Sequence, residues 1–408
     1  MRIFNFPSLN IILGLSLIYF SSSIECASFN FAKQLSPFAL ITPASLNEEA
    51  ILGQIENIKT TTPQQLLILQ ELLLLDPFTQ QISLNQIAAL PYTHLFQMAE
   101  LNTRKFLRRL YDPLRKIAVV DPKDRCGYIN TPRIGAWGDI GYNQANINTN
   151  DCFEKFHWKG YDFSLGIQTS MNPCWTLGFA GSYEHDKVNY QLGAKGNNET
   201  YLAGMYSLLR PADYYFLGDL VVGYGRYTIK RSIDIDKNHL KHEGHPQLYQ
   251  GIAYFEAGHD MPIYGCINTY LFQPFLGLET GYFRYHNVHE TTKDSLFNVN
   301  IAGRSHVSFS GRLGIHFSTE LFSKISITAD AAWQHRCTSY DNHIREHFVD
   351  FGDSFSITGI HLSRDSFDGA FNLSLHLEKN LRLYVEIAGQ VWNKASTYNT
   401  FAGLQIGW

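Results

Sequence analysis

The sequence predicts an all-β protein, a 12-stranded antiparallel transmembrane β-barrel preceded by a small helical segment. Three observations carry this. From Pro132 to Trp408 apolar residues recur at every second position, the period of a strand with one buried or lipid-facing side. The connections alternate between short turns and long polar loops, as in bacterial outer-membrane barrels. The chain stops on NTFAGLQIGW, residues 399–408, which is itself a strand pattern. Chain ends usually fray, and a strand ordered to its last residue needs a partner. A closed barrel supplies one, because its last strand pairs with its first.

About twelve such strands can be read, near 133–145, 158–170, 175–188, 199–209, 214–229, 247–259, 270–286, 304–317, 322–335, 364–377, 381–392 and 397–408. Many exceed ten residues, enough to cross a bilayer when tilted. The short turns are NPC (172–174), PAD (211–213), STEL (318–321) and EKN (378–380). The long loops lie near 146–157, 189–198, 230–246, 287–303 and 336–363. A water-soluble sandwich gives no reason for this asymmetry. At the end of the chain Leu404, Ile406 and Trp408 fall on the lipid side, with Trp408 at the level of an interfacial aromatic girdle.

Composition agrees. Charged residues are 17% and aromatics 14% of the chain, and the formal net charge is −4. A near-neutral chain offers no electrostatic footprint for nucleic acid. At the N-terminus Arg2, the apolar run LNIILGLSLIYF and then SSSIECA read as a secretory signal peptide over residues 1–26. No later segment is long and apolar enough for a transmembrane helix.

Residues 27–91 carry helix punctuation. Ser45 and Glu48, Thr62 and Gln65, and Ser83 and Gln86 have capping-box spacing, while Asp76-Pro77 and Pro91 read as breaks. Short helices are expected near 46–59, 63–75 and 84–89. A longer helix is expected over about 92–112, ended by Asp112-Pro113. Phe96, Ala99, Thr103, Phe106 and Leu110 recur along it at helical spacing. Glu100, Arg104, Lys105, Arg108 and Arg109 make its second half strongly charged, with Glu100 placed to pair with Arg104.

Residues 132–408 resemble the β-domain of the autotransporters, the type V secretion family. RIGAWGDIGYNQ, GYDFSLGIQTSMNPCWTLGFAGSYEHDKVNY, FLGDLVVGYGRYTIKRSI, FQPFLGLETGYFRY, SFSGRLGIHFS, AAWQHR, LRLYVEIAGQ and YNTFAGLQIGW occur in family order, and LNQIAALPYTHLFQMAELNTRKFLRRL is similar to the family's pre-barrel segment. The resemblance implies a linker, residues 92–131, whose α-helix threads the barrel lumen. It implies outer-membrane lipid, the barrel assembly machinery and periplasmic chaperones as partners, in a Gram-negative bacterium. Leu404, Ile406 and Trp408 resemble the C-terminal assembly signal, with Trp408 in place of the usual phenylalanine. By the alternation, Asp139, Asp162, Glu184, Asp219, Glu256, Glu279, Asp330, Asp368 and Glu386 point inward, while Arg133 and Arg312 are the clearest inward cations. Acidic lumen walls are therefore expected to hold the basic face of the helix.

Autotransporters usually carry a long passenger. Here about 65 residues separate the signal from the threading helix, with no internal repeat and no protease or lipase motif. The expected role is an outer-membrane translocator or anchor for its own short N-terminal segment. The alternative is a plugged pore-forming or structural protein without secretion activity. Some family members cut the linker at an Asn-Asn pair; Asn102-Thr103 stands in this helix, and cleavage is not expected.

No enzyme, cofactor or metal centre is read. His316-Phe317-Ser318 resembles a fragment of an outer-membrane phospholipase motif without its following Asn-Gly. The histidines of HLKHEGH, RYHNVHE and HRCTSYDNHIREH are irregularly spaced and read as solvated loop residues. Of six cysteines, Cys26 leaves with the signal. Cys126, Cys174 and Cys266 fall toward the periplasmic rim, and Cys152 and Cys337 in outer loops. A Cys152–Cys337 bridge and intermolecular cross-links both remain open for a barrel otherwise expected to be monomeric.

Overall fold

The computed structural model describes residues 45–56, 58, 62–115, 134–148, 155–172, 174–265, 268–292, 296–321, 324–339, 342–378 and 380–408. The expected signal peptide, Arg133, Cys126, Cys152, Cys266 and the end of the linker lie outside the described residues.

Twelve antiparallel strands close on themselves: β1 (Ile134–Ile147), β2 (Phe156–Asn172), β3 (Trp175–Tyr190), β4 (Lys195–Leu209), β5 (Tyr214–Ile235), β7 (Gln247–His259), β9 (Thr269–Tyr285), β12 (Arg304–Leu321), β13 (Ile325–Arg336), β16 (Asp365–Glu378), β17 (Leu381–Trp392) and β18 (Ala395–Gly407). β18 pairs with β1 from Gly135↔Gly407 to Ile147↔Ala395. The Trp408 amide donates to the Ile134 carbonyl at 2.9 Å, so the last residue of the chain is held in the ladder. The wall is inverted relative to a soluble protein. Ile140 and Leu165 are 64% and 54% exposed on the outside, whereas Asp162 and Ser164 are 2% and 0% exposed on the inside. Such a surface suits lipid. Among the described residues no helix is long and apolar enough to cross a membrane.

At the short-turn end a two-strand flap, β8 (Met261–Tyr264), pairs with β9. At the long end the chain departs from the loops expected. β5 outruns β7, which it pairs over Tyr214–Arg226, and then pairs with β6 (Asn238–Gly244) over Ile229–Ile235. The expected loop 189–198 is mostly strand, closed by a tight turn after Tyr190. The expected loops 287–303 and 336–363 instead supply a four-stranded sheet, β10 (Val288–His289), β11 (Val299–Ile301), β14 (His343–Phe348) and β15 (Phe355–Thr358). Val299, Ile301, Ile344, Phe348 and Ile357 alternate along it and are buried. The period-two signal was present there, but short strands amid polar residues read as loop.

The N-terminal helices are α1 (Leu46–Glu56), α2 (Pro63–Leu74), α3 (Pro77–Ile87), α4 (Leu90–Thr93) and α5 (Leu95–Arg115). The capping box at Thr62 is present, with Gln65 N donating to Thr62 Oγ1 at 3.2 Å and Thr62 N donating to Gln65 Oε1 at 2.9 Å. Two expected boundaries are corrected. Asp76-Pro77 is not only a break but the start of α3, where Asp76 Oδ1 accepts from the Phe78 and Thr79 amides at 3.1 Å. The helix expected at 84–89 is therefore the last part of α3. Ser83 is interior to α3 and donates to the carbonyls of Thr79 (3.1 Å) and Asp234 (2.7 Å) instead of capping. The last helix begins at Leu95 and runs through Asp112-Pro113 to Arg115. A proline near a helix end removes one N–H, and a helix fixed by its surroundings absorbs that loss.

These helices sit on the long end of the barrel. α1 packs on β15, and Asn47 completes that edge strand. Its amide donates to Thr358 O and accepts from Thr358 N, both at 2.9 Å. A side chain here occupies an edge that would otherwise offer itself to another strand.

Candidate functional site

α5 runs inside the barrel. Its ion pairs reach β1, β2, β3, β9, β13 and β17, strands on opposite sides of the closed wall. A helix lying outside could not reach them all. Its N-terminus lies at the long end, where His94 packs against Phe156 with ring centroids 4.3 Å apart and planes tilted by 32°. β1 starts at the short-turn end, so the chain crosses the lumen from one mouth to the other.

Helical spacing sorts the side chains. Phe106 and Leu110 are fully buried against β4, where Gly204 lets the helix approach. A Cβ at Gly204 would lie 2.6 Å from Leu110 Cδ1 and 3.2 Å from Phe106 Cε1. Gly204→Val should cost about 1–3 kcal/mol through overpacking, and faster hydrogen exchange of the amides in 95–110 would show it. Wild-type exchange there would mean that the contact does not seat the helix.

Two charged ridges face the rest of the wall, one turn apart within each ridge. Arg104 binds Glu279 on β9 at 2.6 Å and Glu100 on its own helix at 2.7 Å. Arg108 spans Glu386 on β17 and Asp330 on β13, both at 2.8 Å. On the second ridge Lys105 lies 3.1 Å from Asp162 and 3.3 Å from Glu184. Arg109 lies 2.8 Å from Asp139, contacts Asp162, and places its guanidinium 3.9 Å above the centre of the Phe401 ring. Burial leaves little solvent screening, so each pair depends on its partner being present.

The remaining predicted carboxylates serve the wall, not the helix. Glu256 accepts from Tyr215 Oη at 2.9 Å and from Tyr254, and lies 3.1 Å from His316 Nε2. Asp368 pairs with Arg312. Asp219 is buried across from Tyr206. At the chain end, Leu404, Ile406 and Trp408 are 42%, 42% and 60% exposed on the outer surface.

Sequence reasoning missed several partners. Arg336, just past the expected strand end, binds Glu100. Asn102 donates to Asp186 at 2.7 Å. His316 lies 2.6 Å from Asp330 and joins that carboxylate to Glu256. The inward parity of each strand, extended by one residue, would have found Arg336.

A second polar cluster lies beyond the membrane-spanning wall and ties the helices to the long end. Arg231 on β5 forks onto Glu290 with two contacts of 2.7 Å. The same guanidinium donates to the carbonyls of Gln86 and Ile87 at the end of α3, at 2.8 and 2.9 Å, and to Phe297 O at 3.2 Å. Tyr92 Oη donates to Glu290 at 2.9 Å. Arg231, Glu290, Tyr92 and Glu346 are all at least 96% buried. Burial works against the guanidinium charge, but Glu290 holds Arg231 above its usual range. Burial pushes the Glu346 carboxyl up to about 8; the nearby Arg231 charge opposes the rise and Glu290 adds to it. His94, also buried at this mouth, is pushed down to about 4 and stays neutral.

One sequence expectation fails here, and one of two open alternatives closes. His242 is not a solvated loop histidine: β6 buries it, and its Nδ1 lies 2.8 Å from Asn298 Oδ1. Cys337 is free and exposed, so it makes no bridge to Cys152, while Cys174 is disulfide-bonded.

The translocator domain of autotransporter NalP from Neisseria meningitidis superposes with a TM-score of 0.59 at 12% identity, covering 76% of this chain and 97% of that one. The transport unit of the autotransporter AIDA-I from Escherichia coli gives 0.48 at 16% identity, covering 76% and 99%. The β-domain of the Bordetella autotransporter BrkA gives 0.47 at 15%, covering 68% and 100%. At such identities the likeness is one of fold. No curated protein matches the chain. The autotransporter β-domain family model matches residues 136–388, more than half of the sequence, and the chain belongs to the autotransporter family.

Proposed function

We propose that this protein is an outer-membrane translocator and anchor that presents its own N-terminal helical segment at the cell surface and keeps it there. The observation that carries the reading is the course of α5. It leads from helices α1–α4, folded on the long-connection end, through the lumen toward the short-turn end where β1 begins. Short turns face the periplasm in barrels of this kind, so the helices belong outside. A chain exported through its barrel ends in this arrangement, with the last exported residues still in the pore.

The reading favours an anchored segment over a released one. Buried ion pairs grip α5, and Arg231 clasps the end of α3. The same plug also fits a structural protein that never exports, and the two differ in where residues 45–93 lie. An epitope tag inserted after Ala44 should be labelled on intact cells. Labelling only after permeabilisation would overturn the translocator reading and leave a plugged barrel.

A further inference from the structure

The lipid-facing surface is not uniform. Across β5, β7 and β9 a groove of about 510 Å³ runs along β7. Its floor is Gly251 and Ala253, and its sides are Leu220 and Val222 on β5 and Thr280 and Tyr282 on β9. Only Tyr249 separates Gly251 from the outward-facing Gln247 that opens the strand. The groove therefore lies in the outer half of the wall, in reach of outer-leaflet acyl chains.

A tyrosine row crosses the wall at its upper rim. Tyr183, Tyr201, Tyr224 and Tyr249 follow one another across β3, β4, β5 and β7, with ring centroids 5.3 Å apart for the first pair and 5.2 Å for the last. Such a row marks the membrane–water interface. One outward position beyond Tyr224 stands Arg226, and Arg284 continues the row on β9 beside Tyr249; both are exposed. Arg226 sits 5.6 Å over the Tyr224 ring, with Glu199 across from it. Arg284 faces Tyr249 and Ser305 across its two neighbours. Further round the same belt, Lys159 and Lys187 are exposed and directly opposite each other in the β2–β3 ladder. Like charges so placed destabilise a sheet unless an anion lies between them.

We infer that this surface binds a phosphorylated glycolipid of the outer leaflet, with one acyl chain in the Gly251–Ala253 groove and a phosphate between Arg226 and Arg284. Charge complementarity selects this occupant. A soluble anion has no use for the groove, and a second copy of the barrel would bring like-charged belts together. The inference is separate from the export reading, since it concerns the outside of the wall.

Native mass spectrometry of the full chain in detergent, titrated with bisphosphorylated lipid A, dephosphorylated lipid A and phosphatidylglycerol, tests it. Bisphosphorylated lipid A should bind about tenfold or more tightly than either of the others. The double variant Arg226→Ala/Arg284→Ala should lose about as much affinity, and so should Ala253→Trp, which fills the groove without touching charge. Heat-modifiable gel migration reports folding, and Ala253→Leu replaces Ala253→Trp if the larger side chain prevents it. Equal binding of phosphatidylglycerol, or wild-type affinity in folded variants, would overturn the assignment.

Discussion

Reversing Arg104, Arg108 and Arg109 to glutamate is expected to drive α5 out of the lumen and open a conducting pore. The three guanidiniums hold Glu100, Glu279, Asp330, Glu386, Asp139 and Asp162. Their side chains are only 11%, 10% and 3% exposed. Removing one partner of a buried pair costs about 3–5 kcal/mol, because the other charge is left without compensation. Reversal goes further and sets carboxylate against carboxylate. The costs do not simply add, yet even two of them approach the roughly 5–15 kcal/mol that holds a whole domain together. The barrel itself should survive, since its closure rests on the β1–β18 ladder. The measurement is single-channel conductance in planar bilayers, with heat-modifiable migration showing that the variant is folded. A folded variant with unchanged conductance would mean that the helix does not plug the pore. Arg108→Met should fall between the two, because it removes attraction from Asp330 and Glu386 without adding repulsion.

Much of this was legible in the sequence for a simple reason. A barrel wall repeats one rule, apolar out and polar in, and an inward carboxylate such as Glu184 or Glu386 is identified by parity with its neighbours. Which carboxylate meets which cation was not legible. That depends on the rotation of α5, set by Gly204 admitting Phe106 and Leu110, a contact between residues nearly a hundred positions apart. Parity also could not separate Asp162, which holds the helix, from Asp368, which Arg312 claims within the wall. At the long end the signal failed differently. β10, β11 and β15 are two to four residues long, too short for a period to stand out from polar loops. β15 packs on α1, so that edge of the sheet and the helix are legible only together. Arg231 on β5, Glu290 after β10 and Tyr92 on α4 come from three separate segments, and no local pattern joins them.

Arg231→Met should release the helices from the outer mouth while leaving the barrel closed. The substitution removes the fork onto Glu290 and three donated hydrogen bonds to the carbonyls of Gln86, Ile87 and Phe297. Glu290 is left buried with only Tyr92 and the Val299 amide as donors among these groups, an expected loss of about 3–5 kcal/mol. Glu346 makes the same contact depend on pH. With the helices seated, burial pushes its carboxyl up to about 8 from the 4.5 of a solvated carboxyl, and release of the helices would hydrate it. The seated state therefore holds the proton more tightly. Below pH 4.5 both states are protonated and the contact is at full strength. As pH rises from 4.5 to about 8 the released state ionises first and stability falls, and above 8 the loss levels off. The groups facing Glu346 are Arg231 on β5, Glu290 after β10, Tyr92 on α4, Tyr285 on β9 and the Ala89 amide. Arg231 stays forked onto Glu290 at 2.7 Å and His242 lies 4.0 Å from the same carboxylate, so Glu346→Gln isolates the share of the slope that Glu346 supplies. Hydrogen exchange of residues 86–95, corrected for intrinsic rates, should show opening that grows from pH 5 to 8 in the wild type and stays flat in Glu346→Gln. Equal slopes in the two proteins would remove Glu346 from the contact, whereas a flat, weak contact in Arg231→Met would leave Arg231 as its main support. A surface segment held this way is tighter in acid than in neutral surroundings, and the helices would be presented most loosely where Glu346 is ionised.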